Sequence, residues 1–166
     1  MNPIRILIVD DSVVYRKLLS DAVTSLPNVA AVVTASSGRS ALARLAAETF
    51  DLVLLDVFMP EMSGQETLVC IRRDHPNVAV VMVSGATGRD AEVTLNSLAS
   101  GALDFIPKPL ADSFQNGMDI MRGQLQRVIQ LVGLRAPSRP AAAQPPAQPA
   151  AASLPLRAPA APPPLP

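Results

Sequence analysis

Two hydrophobic patterns alternate along residues 1–134. The segments Ile4 to Val9, Ala30 to Ala35, Leu52 to Leu55, Val78 to Val83 and Leu103 to Ile106 are short, rich in β-branched residues and apolar at nearly every position. Strands covered on both faces read this way, because neither face is left to carry polar side chains. Between them apolar residues recur every three or four positions, the spacing of one helix face. Val14, Leu18, Leu19, Val23 and Leu26 do so within Val13 to Leu26, as do Phe114, Met118, Met121, Leu125, Val128, Ile129 and Val132 near the end of the body. Five strands alternating with five helices predict an α/β fold, a doubly wound parallel sheet with helices on both faces reached by right-handed crossovers. A body of this length buries about two thirds of its unfolded surface, enough for an independent core.

The pattern stops near Arg135. Of the 17 prolines, all but Pro3, Pro27, Pro60, Pro76, Pro107 and Pro109 fall between Pro137 and Pro166. A segment made almost entirely of Ala and Pro buries too little surface to offset its ordering entropy, and dense proline favours extended polyproline II. The expected organisation is one domain over 1–134 and a disordered Ala/Pro-rich linker or tail over 135–166. Fully extended at ~3.1 Å per residue, such a tail reaches roughly 90 Å. A polyproline ligand for an aromatic-lined groove is the alternative reading of the tail. The end of the chain at Pro166, inside this stretch, reads as a cut in a linker.

Charge narrows the partners. Lys+Arg 14 against Asp+Glu 14 gives a formal net charge of zero, which removes the general phosphate attraction on which nucleic-acid binders rely. All 14 acids precede Arg135, beyond which only Arg139 and Arg157 carry charge. Cys70 and His75 are each the sole residue of their type, so neither an intramolecular disulfide nor a Cys/His zinc cluster can form. Apolar runs stop far short of the ~20 residues of a spanning helix, and the first eleven residues do not resemble a signal peptide. A cytoplasmic protein with no membrane insertion is expected.

In a doubly wound sheet, ligands bind outside the carboxyl ends of the strands. The unusual residues fall there: Asp10-Asp11 after the first strand, Asp56 after the third, Ser84 after the fourth, and Lys108-Pro109 after the fifth. Three clustered carboxylates raise one another's pKa unless a cation intervenes. A hard divalent cation such as Mg²⁺ answers that, with Asp11 and Asp56 as direct ligands and Asp10 acting through water. A carboxylate so placed can attack phosphorus and form an acyl phosphate, with Lys108 and the Ser84 hydroxyl stabilising the transferred group. Asp56 is the expected nucleophile, followed by a loop, Val57 to Gly64, that Pro60 and Gly64 shape. Taken singly these acids read as helix caps or solvated loop residues, Lys108 as a surface lysine and Phe105 as core; only the constellation promotes them. Cys70 reads as a small buried residue, Arg72-Arg73 as a solvated helix end, and Tyr15 and Met62 as ordinary packing or exposure.

The pair Asp10-Asp11, the segment Leu54-Leu55-Asp56-Val57-Phe58-Met59-Pro60, Ser84, and Phe105-Ile106-Pro107-Lys108-Pro109 resemble the receiver domain of two-component response regulators, over about residues 3–133. The resemblance implies the flavodoxin-like strand order 2-1-3-4-5 and phosphorylation of Asp56 by a histidine kinase. It further implies Mg²⁺ completed by the Phe58 backbone carbonyl, an aromatic switch at Phe105, and a cis Lys108-Pro109 bond, inexpensive only at proline. Asp10 to Leu19 and Ala99 to Phe105 are similar to the receiver of the chemotaxis methylesterase response regulators, which a linker joins to a carboxyl-terminal esterase domain. That implies a chemotaxis-type kinase and, as partner, an esterase domain or another downstream effector.

No G-x-S-x-G segment is present and His75 is the sole histidine, so no hydrolase triad can be built from this chain. It reads as a non-enzymatic receiver, or as the regulatory part of a methylesterase. Two positions depart from the usual receiver: Phe58 is bulky and apolar where polar side chains are more common, and Ser84 stands for threonine. A Mg²⁺-dependent phosphatase with an aspartate nucleophile is the enzymatic alternative, but it requires a second acid two residues on, where Phe58 stands. No G-x-G-x-x-G or G-x-x-x-x-G-K-[ST] loop follows the first strand, which sets a nucleotide-binding module aside.

Overall fold

The structure, a computed structural model, describes residues 2–85, 96–109 and 114–135. The chain runs β1 (Ile4–Val9), α1 (Val13–Thr24), β2 (Val29–Ala35), α2 (Gly38–Ala47), β3 (Leu52–Asp56), α3 (Gly64–Asp74) and β4 (Ala79–Gly85). Then come α4, described over 96–99, β5 (Asp104–Lys108) and α5 (Phe114–Arg135). All strand pairs are parallel and the order is β2-β1-β3-β4-β5. The expected fold is therefore the observed one. The expected tail over 135–166 lies outside the described residues, save Arg135 at the end of α5.

Alternating side chains of each strand feed two cores, as the two-residue period of a strand requires. Ile4, Ile6 and Ile8 of β1 with Leu52 and Leu54 of β3 meet Leu19 and Val23 of α1 and Leu125 and Ile129 of α5. Leu7 and Val9 with Val53 and Leu55 point the other way, onto Ala41 and Leu45 of α2 and Leu68 and Ile71 of α3. The central strands are thus sealed on both sides, and their ends form the rim where polar residues can gather.

Local signals set the helix starts. Ser12, Ser37 and Ser63 are the N-caps of α1, α2 and α3, each accepting a backbone N–H from one turn on. Ser63 and Glu66 complete a reciprocal capping box. Glu61, in the loop between β3 and α3, adopts φ 66°, the left-handed region few non-glycine residues enter.

Several expectations need correction. Lys108 belongs to β5 instead of following it, and β4 runs on to include Ser84 and Gly85. No cis peptide occurs among the described residues, so the Lys108-Pro109 bond is trans, the form an X–Pro bond favours by about 0.5–1 kcal/mol. Arg73 is exposed and paired with Asp74, but Arg72 is half-buried and donates to the carbonyls of Pro76 and Val78, tying α3 to the loop before β4. Cys70 is half-buried, not fully enclosed, because it sits at the edge of the α3 face that meets the sheet.

Candidate functional site: an acidic rim bridged by Lys108

The four expected strand ends converge. Asp10 follows β1, Asp56 ends β3, Ser84 is the penultimate residue of β4, and Lys108 ends β5. In the sheet order β5 is separated from β3 by β4, whose end carries only the small residues Ser84 and Gly85. Lys108 stands in register with Gly85. Its side chain therefore crosses the end of β4 to reach the acids, and Nζ bridges Asp10 Oδ2 at 2.7 Å and Asp56 Oδ1 at 2.9 Å.

Burial makes this bridge consequential. Asp10 and Asp56 are 0% and 4% exposed and Lys108 9%, so bulk water screens the charges poorly. Burial pushes the Asp56 carboxyl above the ordinary aspartate range; the hydrogen bond and positive charge of Lys108 oppose this, and Asp10 and Asp11 add to it. Burial pulls the Lys108 ammonium down, but its hydrogen bonds to Asp10 and Asp56 outweigh that, and its pKa is raised. Asp56 is thus a buried carboxylate whose Oδ1 is held by an ammonium that it shares with Asp10.

Asp11 is exposed at the mouth. One oxygen from each of Asp10, Asp11 and Asp56 lies within 4.8 Å of the others. Three carboxylates against one ammonium leave the cluster two charges short of neutral. All-oxygen donors and a deficit of two positive charges fit a hard divalent cation.

The acidic loop is held from behind. Asp10 Oδ1 accepts the Ser12 N–H at 2.8 Å. Arg16, one turn into α1, donates to the backbone carbonyls of Asp10 at 2.6 Å and Asp11 at 3.0 Å. On the other side, Gly64 donates its N–H to the Val57 carbonyl at 2.9 Å. A Cβ on Gly64 would overlap the Asp56 carbonyl oxygen, so the start of α3 can approach β3 this closely only at glycine.

Other expected residues are placed less tightly. The recorded contact of the Ser84 hydroxyl is with the Gly85 carbonyl at 3.5 Å, and no hydrogen bond joins it to the acids. Phe105 is half-buried against the core on the α3 side of the sheet. Phe58, two residues past Asp56, is 56% exposed. Three contributors escaped the sequence reading: Tyr15, whose ring lies over Lys108, Arg16 and the tight role of Gly64. A Ser12 cap implies that Arg16 lies one turn on, which was the available signal for that residue.

Residues 6–114 match the response regulator receiver domain family. The chain belongs to this family. A protein-glutamate methylesterase/protein-glutamine glutaminase of Nocardioides sp. is 47% identical to this receiver over 109 residues, 66% of this chain and 30% of that protein. A protein of the same description from Geobacillus kaustophilus is 49% identical over 109 residues, covering 66% and 31%. The chain thus spans under a third of the length of these two curated relatives. Among solved structures, the response regulator domain of Thermotoga maritima CheB matches with a TM-score of 0.64 at 30% identity, covering 76% of this chain and 96% of that one. Chemotaxis response regulator CheY4 of Vibrio cholerae matches with a TM-score of 0.62 at 28% identity, covering 77% and 97%. Among the described residues, no helix of the receiver is long and apolar enough to cross a membrane.

Proposed function

We propose that this receiver accepts a phosphoryl group on Asp56 from a histidine kinase of chemotaxis type and thereby switches an attached or separate effector. The observation that carries this is the Lys108 bridge: one buried ammonium shared between Asp10 and the proposed nucleophile Asp56. In the transfer, an Asp56 carboxylate oxygen bonds phosphorus as the bond from phosphorus to the donor's leaving atom breaks, and the donor departs with that electron pair. Lys108 is already within reach of where the phosphoryl oxygens would lie and supplies positive charge there. Ser84 would rotate its hydroxyl from Gly85 toward the same oxygens.

Asp10, Asp11, Asp56 and the Phe58 backbone carbonyl are the proposed Mg²⁺ ligands. The ion would supply the charge that the cluster lacks and draw electron density from the phosphoryl oxygens. With the phosphoryl group in place, Lys108 and Ser84 are drawn toward it, and Phe105, one residue before Ile106 on the same strand as Lys108, is the proposed relay to the surface of α4 and β5. Such a group shifts the equilibrium between two conformations only by its differential stabilisation of one of them.

The proposed domain boundaries are 1–134 for the receiver and 135–166 for a linker. A second reading, favoured by the lengths of the methylesterase relatives, makes this the regulatory part of such an esterase, with the catalytic domain as the effector. The deciding experiment is intact mass after incubation with acetyl phosphate and Mg²⁺, run beside Asp56→Asn. One phosphate adduct that requires both Mg²⁺ and Asp56 is expected; an adduct of equal yield on Asp56→Asn would overturn the assignment.

A further inference from the structure

The ring of Tyr15 lies over Lys108, with Nζ 4.5 Å from the ring centroid. An ammonium within about 6 Å of an aromatic face is attracted by the ring quadrupole, and the attraction grows when water is excluded. Both conditions hold, since Lys108 is buried. The placement of Tyr15 is also built. Its backbone N–H is capped by Ser12 Oγ at 3.4 Å, and the neighbouring Arg16 fastens the same helical turn to the carbonyls of Asp10 and Asp11. The first turn of α1 is thereby fixed to the acidic loop, and it presents an aromatic face to the ammonium that the loop's carboxylate already holds.

We infer that Tyr15 is a positioning residue for phosphoryl transfer, its ring holding the Lys108 ammonium against the carboxylates and shielding it from water. This rests on the reading of Asp56 as phosphoacceptor. An ammonium has three donors; the two carboxylates take two directions and the ring covers another. When a phosphoryl group arrives on Asp56, Lys108 has only to turn within this enclosure, with no solvent shell to shed. Without the ring, the four-carbon lysine stem gains freedom and its head gains water, so less of its charge is directed at the transferred group.

Tyr15→Leu, which keeps apolar volume but removes the ring, should slow adduct formation from acetyl phosphate about five- to thirtyfold, the span of a desolvated cation–π contact. Tyr15→Phe, which keeps the ring, should restore the rate. In a Lys108→Met background the Tyr15→Leu change should have no further effect, because the two residues act through one contact. Tyr15→Met serves the same comparison should the leucine variant melt early.

Tyr15 is the single tyrosine and the chain has no tryptophan, so tyrosine emission reads this contact without any phosphodonor. Lys108→Met should change that emission at neutral pH. If wild type gives no adduct, the phosphoacceptor reading fails and this inference with it. If wild type forms the adduct and Tyr15→Leu forms it equally fast, or if the emission ignores Lys108→Met, the role of Tyr15 is overturned while the phosphoacceptor reading stands.

Discussion

A methyl group on Gly64 would overlap the backbone carbonyl oxygen of Asp56. The first residue of α3 is therefore packed directly on the residue proposed to carry the phosphoryl group. Gly64→Ala must push α3 away from β3 or shift Asp56 itself. Its obstacle is backbone, which yields less readily than a side chain, so destabilisation of about 1–3 kcal/mol is expected. Urea denaturation measures the first effect, and slower adduct formation from acetyl phosphate reports the second. A variant with wild-type stability and rate would show that the contact relaxes freely.

Removal of Lys108 leaves Asp10 and Asp56 buried with no cation between them. Lys108→Met should therefore destabilise the Mg²⁺-free protein by about 3 kcal/mol, the lower end of what breaking a buried pair costs. Added Mg²⁺ should recover more stability in this variant than in wild type, because the variant's cluster lacks one more positive charge. Melting curves with and without Mg²⁺ check both statements, and a variant that melts with wild type in chelator would contradict them.

The direction of the Asp56 shift gives a pH dependence. Burial raises the folded carboxyl above its ordinary value of 3.8, so the folded state binds the proton more tightly than the unfolded chain does. Stability from this group is fully present below the unfolded pKa and is lost as pH rises through the raised folded pKa. At neutral pH without Mg²⁺, Asp56→Asn should accordingly be more stable than wild type. The gap should close on acidification below that raised value. A gap that widens toward acid would mean that Lys108 outweighs burial at Asp56.

Phe58 places an exposed phenyl ring two residues beyond Asp56, where it can restrict the approach of water to an acyl phosphate. Phe58→Asn should shorten the lifetime of the adduct several-fold while leaving the melting temperature close to wild type, since a half-exposed ring contributes little to the core. The decay of the adduct by intact mass after removal of the phosphodonor is the measurement. An unchanged lifetime would remove Phe58 from hydrolysis control.

The sequence by itself determined the alternation of strands and helices, because strands sealed on both faces must be apolar throughout and amphipathic helices must repeat every three or four residues. It also determined that the charged residues would gather on one rim: Asp10, Asp56 and Lys108 each sit where an apolar strand runs out, and parallel strands point all such ends the same way. The serine caps at 12, 37 and 63, which the structure shows, are equally local: each accepts a backbone N–H from one turn on.

Only the tertiary structure decided which groups meet. Lys108 is 93 residues from Tyr15 and 98 from Asp10 along the chain, and no local pattern says that its side chain crosses β4 to bridge the two acids under an aromatic ring. The same holds for Arg72, which resembles a solvated helix end until the loop before β4 folds back to receive it. Gly64 resembles any turn glycine until α3 closes on Asp56. Periodicity is a property of neighbouring residues and survives in the sequence; pairing across a sheet depends on strand order and side-chain reach, which exist only once the chain has packed.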